Sequence, residues 1–154
     1  MSGNTKMDIR PLKPEDLERV VEIDSRIVGR SRKKFFEKRL EAALSEAKGF
    51  VTVALDDQSG ALVGYAIARI HNGEYGTDER SAVLDVIGVD PDSQHDGAGH
   101  ALLDGITGIL RKLEIGALRT QIGWQDQALA GFFATAGFEL APEQILERNV
   151  AGSL

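Results

Sequence analysis

A chain of 154 residues with 42% hydrophobic content suffices for one ordinary globular domain with its own core, expected over 1–154. The absence of cysteine excludes disulfides, zinc ribbons and thiol nucleophiles together. No apolar run approaches the ~20 residues of a membrane span, and the polar start Met1-Ser2-Gly3-Asn4-Thr5 lacks a signal peptide's apolar segment, so no membrane partner and a cytoplasmic location are expected.

Met7 to Arg10 reads as a short strand, and Pro11-Leu12-Lys13-Pro14 punctuates it. With Pro14 at the first helical position and Leu17, Val20 and Val21 on one face, a helix is expected to about Asp24, broken by Gly29. Ser31 is placed to cap a second helix, whose apolar residues Phe35, Phe36, Leu40, Ala43 and Leu44 keep helical spacing to about Ala47. Seven basic residues against Glu37 give the stretch from Arg26 to Arg39 a local charge of about +6 in a chain of net charge −6. Such a segment is either a solvated face or an attractor for an anionic acceptor or for donor phosphates, with Arg30 and Arg32 the candidate contacts. Nucleic acid is not expected: the remainder of the chain is acidic and no reader motif is present.

The period then changes. Phe50 to Leu55 and Ala61 to Ile70 read as a hairpin around Asp56-Asp57-Gln58-Ser59-Gly60, and a loop from His71 to Arg80 leads to a strand ending at Val89. In that strand Asp85 is a charge among apolar neighbours, so its carboxylate either pairs with a structural arginine or faces a cleft as a base. Gly88 marks a bulge or a close backbone approach there, or relieves crowding under a helix. Gln94-His95-Asp96-Gly97-Ala98-Gly99 follows and runs into a helix from Ala98 to Leu113, which gathers free N–H groups and a positive helix end at one point. That point is an anion site, unless the loop is an ordinary turn capped by Asp92 or Ser93. Gly99 is followed by His100-Ala101 rather than Lys-Ser/Thr, and Leu102 occupies the third glycine position of a dinucleotide fingerprint, so neither nucleotide motif is met. Leu118 to Trp124 reads as a strand, Asp126 to Phe138 as a helix and Gln144 to Val150 as a last strand. His71, His95 and His100 form no ligand cluster with carboxylates, and no metal is expected.

The fold expected is α/β (α+β): one central twisted mixed sheet flanked by helices, in the order β-α-α-β-β-β-α-β-α-β, with one parallel strand pair across the helix that begins at Ala98.

The spacing Gln94-x-x-Gly97-x-Gly99 after an apolar strand, with the ending Phe133-x-x-x-Gly137-Phe138, resembles the GNAT superfamily of acyl-CoA-dependent N-acyltransferases. The resemblance is specific from about Ala82 to Phe138. It implies a GNAT-like domain that transfers an acetyl group from acetyl-CoA to a primary amine, on a small molecule or a protein. It also implies that Gln94, His95, Asp96, Gly97, Ala98, Gly99 and His100 form the pyrophosphate loop, and that Ile87, Gly88 and Val89 bind the pantetheine arm and thioester. Asp126 and Phe133 would lie beside the donor, and Asp85 would take the acceptor's proton. The family's tyrosine acid is replaced by Phe133, and Tyr75 or water is left to supply that proton. Without cysteine or a Gly-x-Ser-x-Gly elbow, the transfer is expected to be direct, in one ternary complex. A non-catalytic acyl-CoA sensor, or an interaction module on the same fold, is the alternative, and a homodimer is compatible with either.

Overall fold

The computed structural model describes residues 7–73, 76 and 78–151. The chain divides into two compact units, residues 1–121 and 122–154.

In the first unit a five-stranded sheet has the order β1 (Asp8–Arg10), β2 (Phe50–Asp56), β3 (Leu62–Asn72), β4 (Arg80–Val89) and β5 (Leu118–Arg119). The first three pairings are antiparallel and β4 with β5 is parallel. α1 (Leu17–Val28) and α2 (Lys33–Ser45) lie between β1 and β2 in sequence, and α3 (Ala98–Lys112) between β4 and β5. This is the α/β mixed sheet that the alternation of periods implies.

Each helix buries one apolar stripe. Val20 and Ile23 of α1 and Phe36, Leu40 and Ala43 of α2 meet Ala54, Tyr65 and Ile67 of the sheet, with Val86 packed at the edge of that cluster. Leu102, Leu103, Ile106 and Leu110 of α3 are buried too, with Leu102 against Gly64. Arg10 ties β1 in place: its guanidinium donates to Asp56 from Nε at 2.7 Å and to both oxygens of Asp16 at 2.8 and 2.9 Å.

Three boundaries differ from the expected ones. The turn at Pro14–Asp16 is a 3-10 turn, and the α-helix proper begins at Leu17 and continues to Val28, beyond Asp24. Ser31 does not cap α2; the residue before its first turn is Arg32, and no side chain caps it. The strand expected over Leu118 to Trp124 stops at Arg119.

The third difference has a cause in β4. Ile67 pairs with Val86 and Ala68 with Leu84, so Asp85 is an extra residue opposite no partner, a β-bulge. On the other edge β5 pairs with Ala82 and Val83 only, and the Thr120 hydroxyl then donates to the Leu84 carbonyl at 3.2 Å. A bulge bends its strand and sharpens the local twist, so a parallel neighbour cannot follow it. From Asp85 to Val89 no strand among the described residues pairs with that edge of β4.

In the second unit α4 spans Gln127–Thr135, with the Asp126 carboxylate accepting from the Leu129 N–H as its N-cap at 3.1 Å. It ends in a Schellman motif: Phe138 N–H donates to the Phe133 carbonyl, Gly137 N–H to the Ala134 carbonyl, and Gly137 takes φ +89°. The expected strand over Gln144 to Val150 is not formed. Ile145 and Leu146 are adjacent, followed by Glu147, Arg148 and Asn149, so no one face is apolar; Ile145, Leu146 and Val150 are 72%, 89% and 90% exposed.

Gly88 faces Tyr65 across the strands, and a Cβ there would lie 2.4 Å from the phenol's Cζ and Oη. Gly88→Ala is therefore expected to cost about 1 to 3 kcal/mol. In urea titrations the Gly88→Ala, Tyr65→Val double variant should lose clearly less than the sum of the two single losses, since the second change removes the ring that the first collides with.

Candidate active site

Asp85 points to the α1–α2 side of the sheet, where two arginines meet it. Arg69 Nε of β3 lies 2.9 Å from Oδ2 and Arg39 Nη1 of α2 donates to the same oxygen at 3.2 Å. The carboxylate is 12% exposed, and Oδ1 has no hydrogen-bond partner among the described residues. The pairing is thus one-sided: guanidinium groups hold Oδ2 and fix the side chain, and Oδ1 is left for a further donor. The Phe35 ring lies under Arg39, 5.0 Å from its Cζ.

Beyond Gly88 the strand ends at Val89, and the side chain of the next residue, Asp90, is buried. Its carboxylate accepts from Arg19 and Arg26 of α1, the latter at 2.7 Å, and from the Asp92 N–H at 3.0 Å. Asp90 is therefore the cap of the 3-10 turn Pro91–Asp96, where the alternative reading of the loop as an ordinary turn places Asp92 or Ser93. Burial alone would raise this carboxyl's pKa, but the Asp92 N–H and the two guanidinium groups outweigh it and hold it below its ordinary value. Gln94 turns back, donating from Nε2 to the Val89 carbonyl at 3.3 Å. Asp96 is exposed at the end of the turn.

Gly97 takes φ +78° and starts α3 without any side-chain cap. The first intrahelical bond runs from Ala101 N–H to Gly97 O at 3.0 Å, so the N–H groups of Ala98, Gly99 and His100 precede the ladder at the positive end of a 15-residue helix. Among the described residues, a Cβ on Gly97 would meet nothing within 4 Å. Ile87, Gly88 and Val89 occupy the unpaired edge of β4 that leads to this helix start.

Tyr65, missed in the sequence, lies under Gly88 with its ring edge against Phe36 at 5.8 Å. Burial first, and the nearby Asp24 second, push its phenol pKa up against the opposing charge of Arg32. It stays protonated throughout the ordinary pH range. Of the other expected site residues, Tyr75 and the His95 side chain lie outside the described residues. Asp126 and Phe133 belong to the second unit. There Asp126 is engaged as a cap, and Phe133 is buried between the rings of Phe132 and Phe138, at 5.2 and 4.9 Å. Arg30 is exposed, whereas Arg32 is held by the buried Asp24. Among the described residues no group of three or more histidines and carboxylates stands together as for a metal ion, and no helix is long and apolar enough to cross a membrane.

The family model described as Acetyltransferase (GNAT) family matches residues 16–138. The chain belongs to the GNAT acetyltransferase family. No curated protein sequence matches it. Solved structures of GNAT-type transferases share the fold. An aminoglycoside antibiotic 6'-N-acetyltransferase from Acinetobacter baumannii has 13% identity and a TM-score of 0.79, covering 96% of this chain and 100% of its own. A second aminoglycoside N-acetyltransferase, solved with a bisubstrate analogue of coenzyme A and acetylneamine, has 19% identity and a TM-score of 0.78, covering 94% and 99%. Glucosamine-6-phosphate N-acetyltransferase from Arabidopsis thaliana has 13% identity and a TM-score of 0.71, covering 93% and 98%.

The Asp90 cluster joins α1 to the turn before α3, and its loss has a definite pH signature. Asp90→Asn leaves two guanidinium groups without their shared anion and is expected to cost about 1 to 3 kcal/mol near neutral pH, at the lower end because both arginines are partly exposed. A carboxylate with a lowered folded pKa contributes stability above its ordinary value of ~3.9 and loses it as pH falls through the folded value. Urea midpoints of the two proteins should therefore converge as the pH falls below ~3.9.

Proposed function

We propose that this GNAT-family chain transfers the acetyl group of acetyl-CoA directly to a primary amine, acting as one domain over 1–154. The observation that carries the reading is the edge of β4 over Asp85 to Val89, unpaired among the described residues, followed after one 3-10 turn by a helix start at Gly97 that no side chain caps. An extended, amide-bearing chain such as pantetheine can add to a free strand edge through main-chain hydrogen bonds. Its pyrophosphate then meets the N–H groups of Ala98, Gly99 and His100, with Gly97 keeping side-chain bulk away. In this reading Asp96, an exposed carboxylate, contributes nothing to anion binding, and Gln94 shapes the loop through Val89. The family match supports the acyl-CoA donor, and the aminoglycoside and glucosamine-6-phosphate enzymes of the same fold make an amine acceptor the natural class.

Acetyl-CoA supplies the acyl group as a thioester. An amine with pKa ~10.4 carries a proton at neutral pH and must lose it before its lone pair can attack. Asp85 Oδ1 accepts that proton, directly or through one water, while Arg39 and Arg69 hold the carboxylate in place through Oδ2. The nitrogen–carbon bond then forms, the nitrogen releases its second proton to solvent, the carbon–sulfur bond breaks, and the thiolate leaves with the electron pair and is protonated from solvent or by Tyr75. The chain has no cysteine to hold an acyl intermediate. Initial-velocity lines for acetyl-CoA and amine should accordingly intersect, as for a ternary complex, and parallel lines would rule out direct transfer.

Two substitutions separate donor from acceptor. Asp85→Asn is expected to lower kcat/KM for an amine by about 10² to 10⁴ and to leave acetyl-CoA affinity within a few fold; a matched loss of folding and donor binding would make Asp85 a structural ion pair alone. Gly97→Val places a β-branched residue at φ +78° in front of the helix start, and is expected to raise the acetyl-CoA Kd at least tenfold. Gly97→Asn, which tolerates this conformation, should lose less. Calorimetry on the folded variants reads both.

A further inference from the structure

The basic segment from Arg26 to Arg39 is not one uniform face. Arg26 is committed to Asp90 and Asp92, Arg32 to Asp24 through two hydrogen bonds, and Arg39 to Asp85. Arg30, Lys33, Lys34 and Lys38 are exposed and have no ion-pair partner among the described residues. Three of these four meet at one place. Arg30, Lys33 and Lys34 line an open concavity of about 570 Å³ together with Ser31, Arg32 and Phe35.

Its other lining is fixed. The Arg32 guanidinium, neutralised by the buried Asp24, lies over the Phe35 ring at 5.1 Å. Phe35 also carries Arg39 at 5.0 Å, and Arg39 reaches the Asp85 carboxylate. A path of contacts, Phe35 to Arg39 to Asp85 Oδ2, therefore joins the concavity to the carboxylate whose other oxygen is assigned to the acceptor amine. In a chain with more acidic than basic residues, three unneutralised cations around one hollow repel one another and gain from an anion. The hollow is open and built by six consecutive residues, Arg30 to Phe35, so it suits the charged end of a small ligand rather than the enclosure of a whole one.

We propose that this concavity is an anion subsite for the acceptor, which is a small primary amine bearing a phosphate or carboxylate group. Its anionic end contacts Arg30, Lys33 and Lys34, and its amine extends past Phe35 toward Asp85. The choice of amine rests on the transferase reading above; the anion subsite itself does not.

The test uses phosphoethanolamine, ethanolamine and spermidine as probes, with the full chain and an Arg30→Gln, Lys33→Gln, Lys34→Gln variant. All three positions are exposed, so the fold is expected to be unaffected, and a thermal scan checks it. The expected result in thiol release from acetyl-CoA is at least a tenfold higher kcat/KM for phosphoethanolamine than for ethanolamine or spermidine. The variant should remove that preference through KM, with kcat and the ethanolamine rate within about twofold. Raising the salt from 0.1 M to 1 M, where the screening length falls from ~10 Å to ~3 Å, should have the same sense. Calorimetric titration of phosphoethanolamine without acetyl-CoA reads the subsite independently of turnover. Binding that the variant abolishes, without thiol release from any amine, would uphold the subsite and sink the transferase reading. Turnover of ethanolamine or spermidine at equal or higher kcat/KM, with no effect of the variant, would sink the subsite and leave the transferase. A variant that weakens acetyl-CoA itself more than a few fold would assign the cations to the donor's phosphates and overturn the proposal.

Discussion

One unpaired residue organises this molecule. Asp85 is the extra residue of a bulge in β4, and the bend it introduces ends the parallel pairing with β5 after two residues. Without the bulge β4 and β5 would run on together and close the sheet. With it, the edge of β4 from Asp85 to Val89 pairs with no strand among the described residues. A bulge also re-aims the side chain it carries. The same residue therefore creates the opening and presents a carboxylate on the face opposite α3, where Arg39 and Arg69 meet it.

The element order was legible because the hydrophobic period changes from helical to alternating at Phe50 and back at Ala98. Asp85 also stood out as the lone acid in an apolar strand, and Arg69 is the matching lone base in β3. Two opposite charges isolated in neighbouring strands are a signal for their pairing, one that single-strand reading does not exploit. What the sequence could not display is the bulge, because it is a property of two strands in register and not of either alone. For the same reason the end of β5 at Arg119 and the role of Asp90 were missed: Asp90 is fixed by Arg19 and Arg26, more than sixty residues upstream. Gly88 carried a readable hint of close approach, but the group that approaches, Tyr65, is a cross-strand neighbour. The last expected strand failed for a visible reason, the adjacent pair Ile145-Leu146 in place of alternation.

The acidic balance of the chain has a structural use. Asp16, Asp24, Asp85 and Asp90 are each at least half sequestered and each receives an arginine that would otherwise be mobile. Arginine suits this, since its planar fork gives two directed bonds and stays charged at any relevant pH. Lysine, a flexible point charge, is left at the surface around Ser31 and Phe35. Arginines held by aspartates (Arg26, Arg32, Arg39) beside the exposed Arg30, Lys33 and Lys34 make the basic segment a fixed wall with uncommitted cations at its mouth. Arg26 adds a mechanical consequence: through Asp90 it couples α1, which leads into that mouth, to the turn that precedes the helix start at Gly97.

On the transferase reading, Phe133 is a position where catalytic equipment can change while the helix ending stays intact. The same reading expects a phenol at this position, and the ring found there closes the Schellman motif, edge-on to Phe138 while Phe133 O accepts from the Phe138 N–H. The position is thus fixed by helix termination as well as by chemistry, and an aromatic ring satisfies the first requirement without a hydroxyl. On the transferase reading the lost hydroxyl bears on the departing thiolate. A thiol of pKa ~8.5 leaves readily without prior protonation, whereas an ammonium of pKa ~10.4 cannot attack until it is deprotonated. Loss of the acid therefore falls on the less demanding proton transfer, and the more demanding one still has Asp85. The catalytic weight shifts toward the side of the sheet where the aspartate, its two arginines and the cationic hollow lie together.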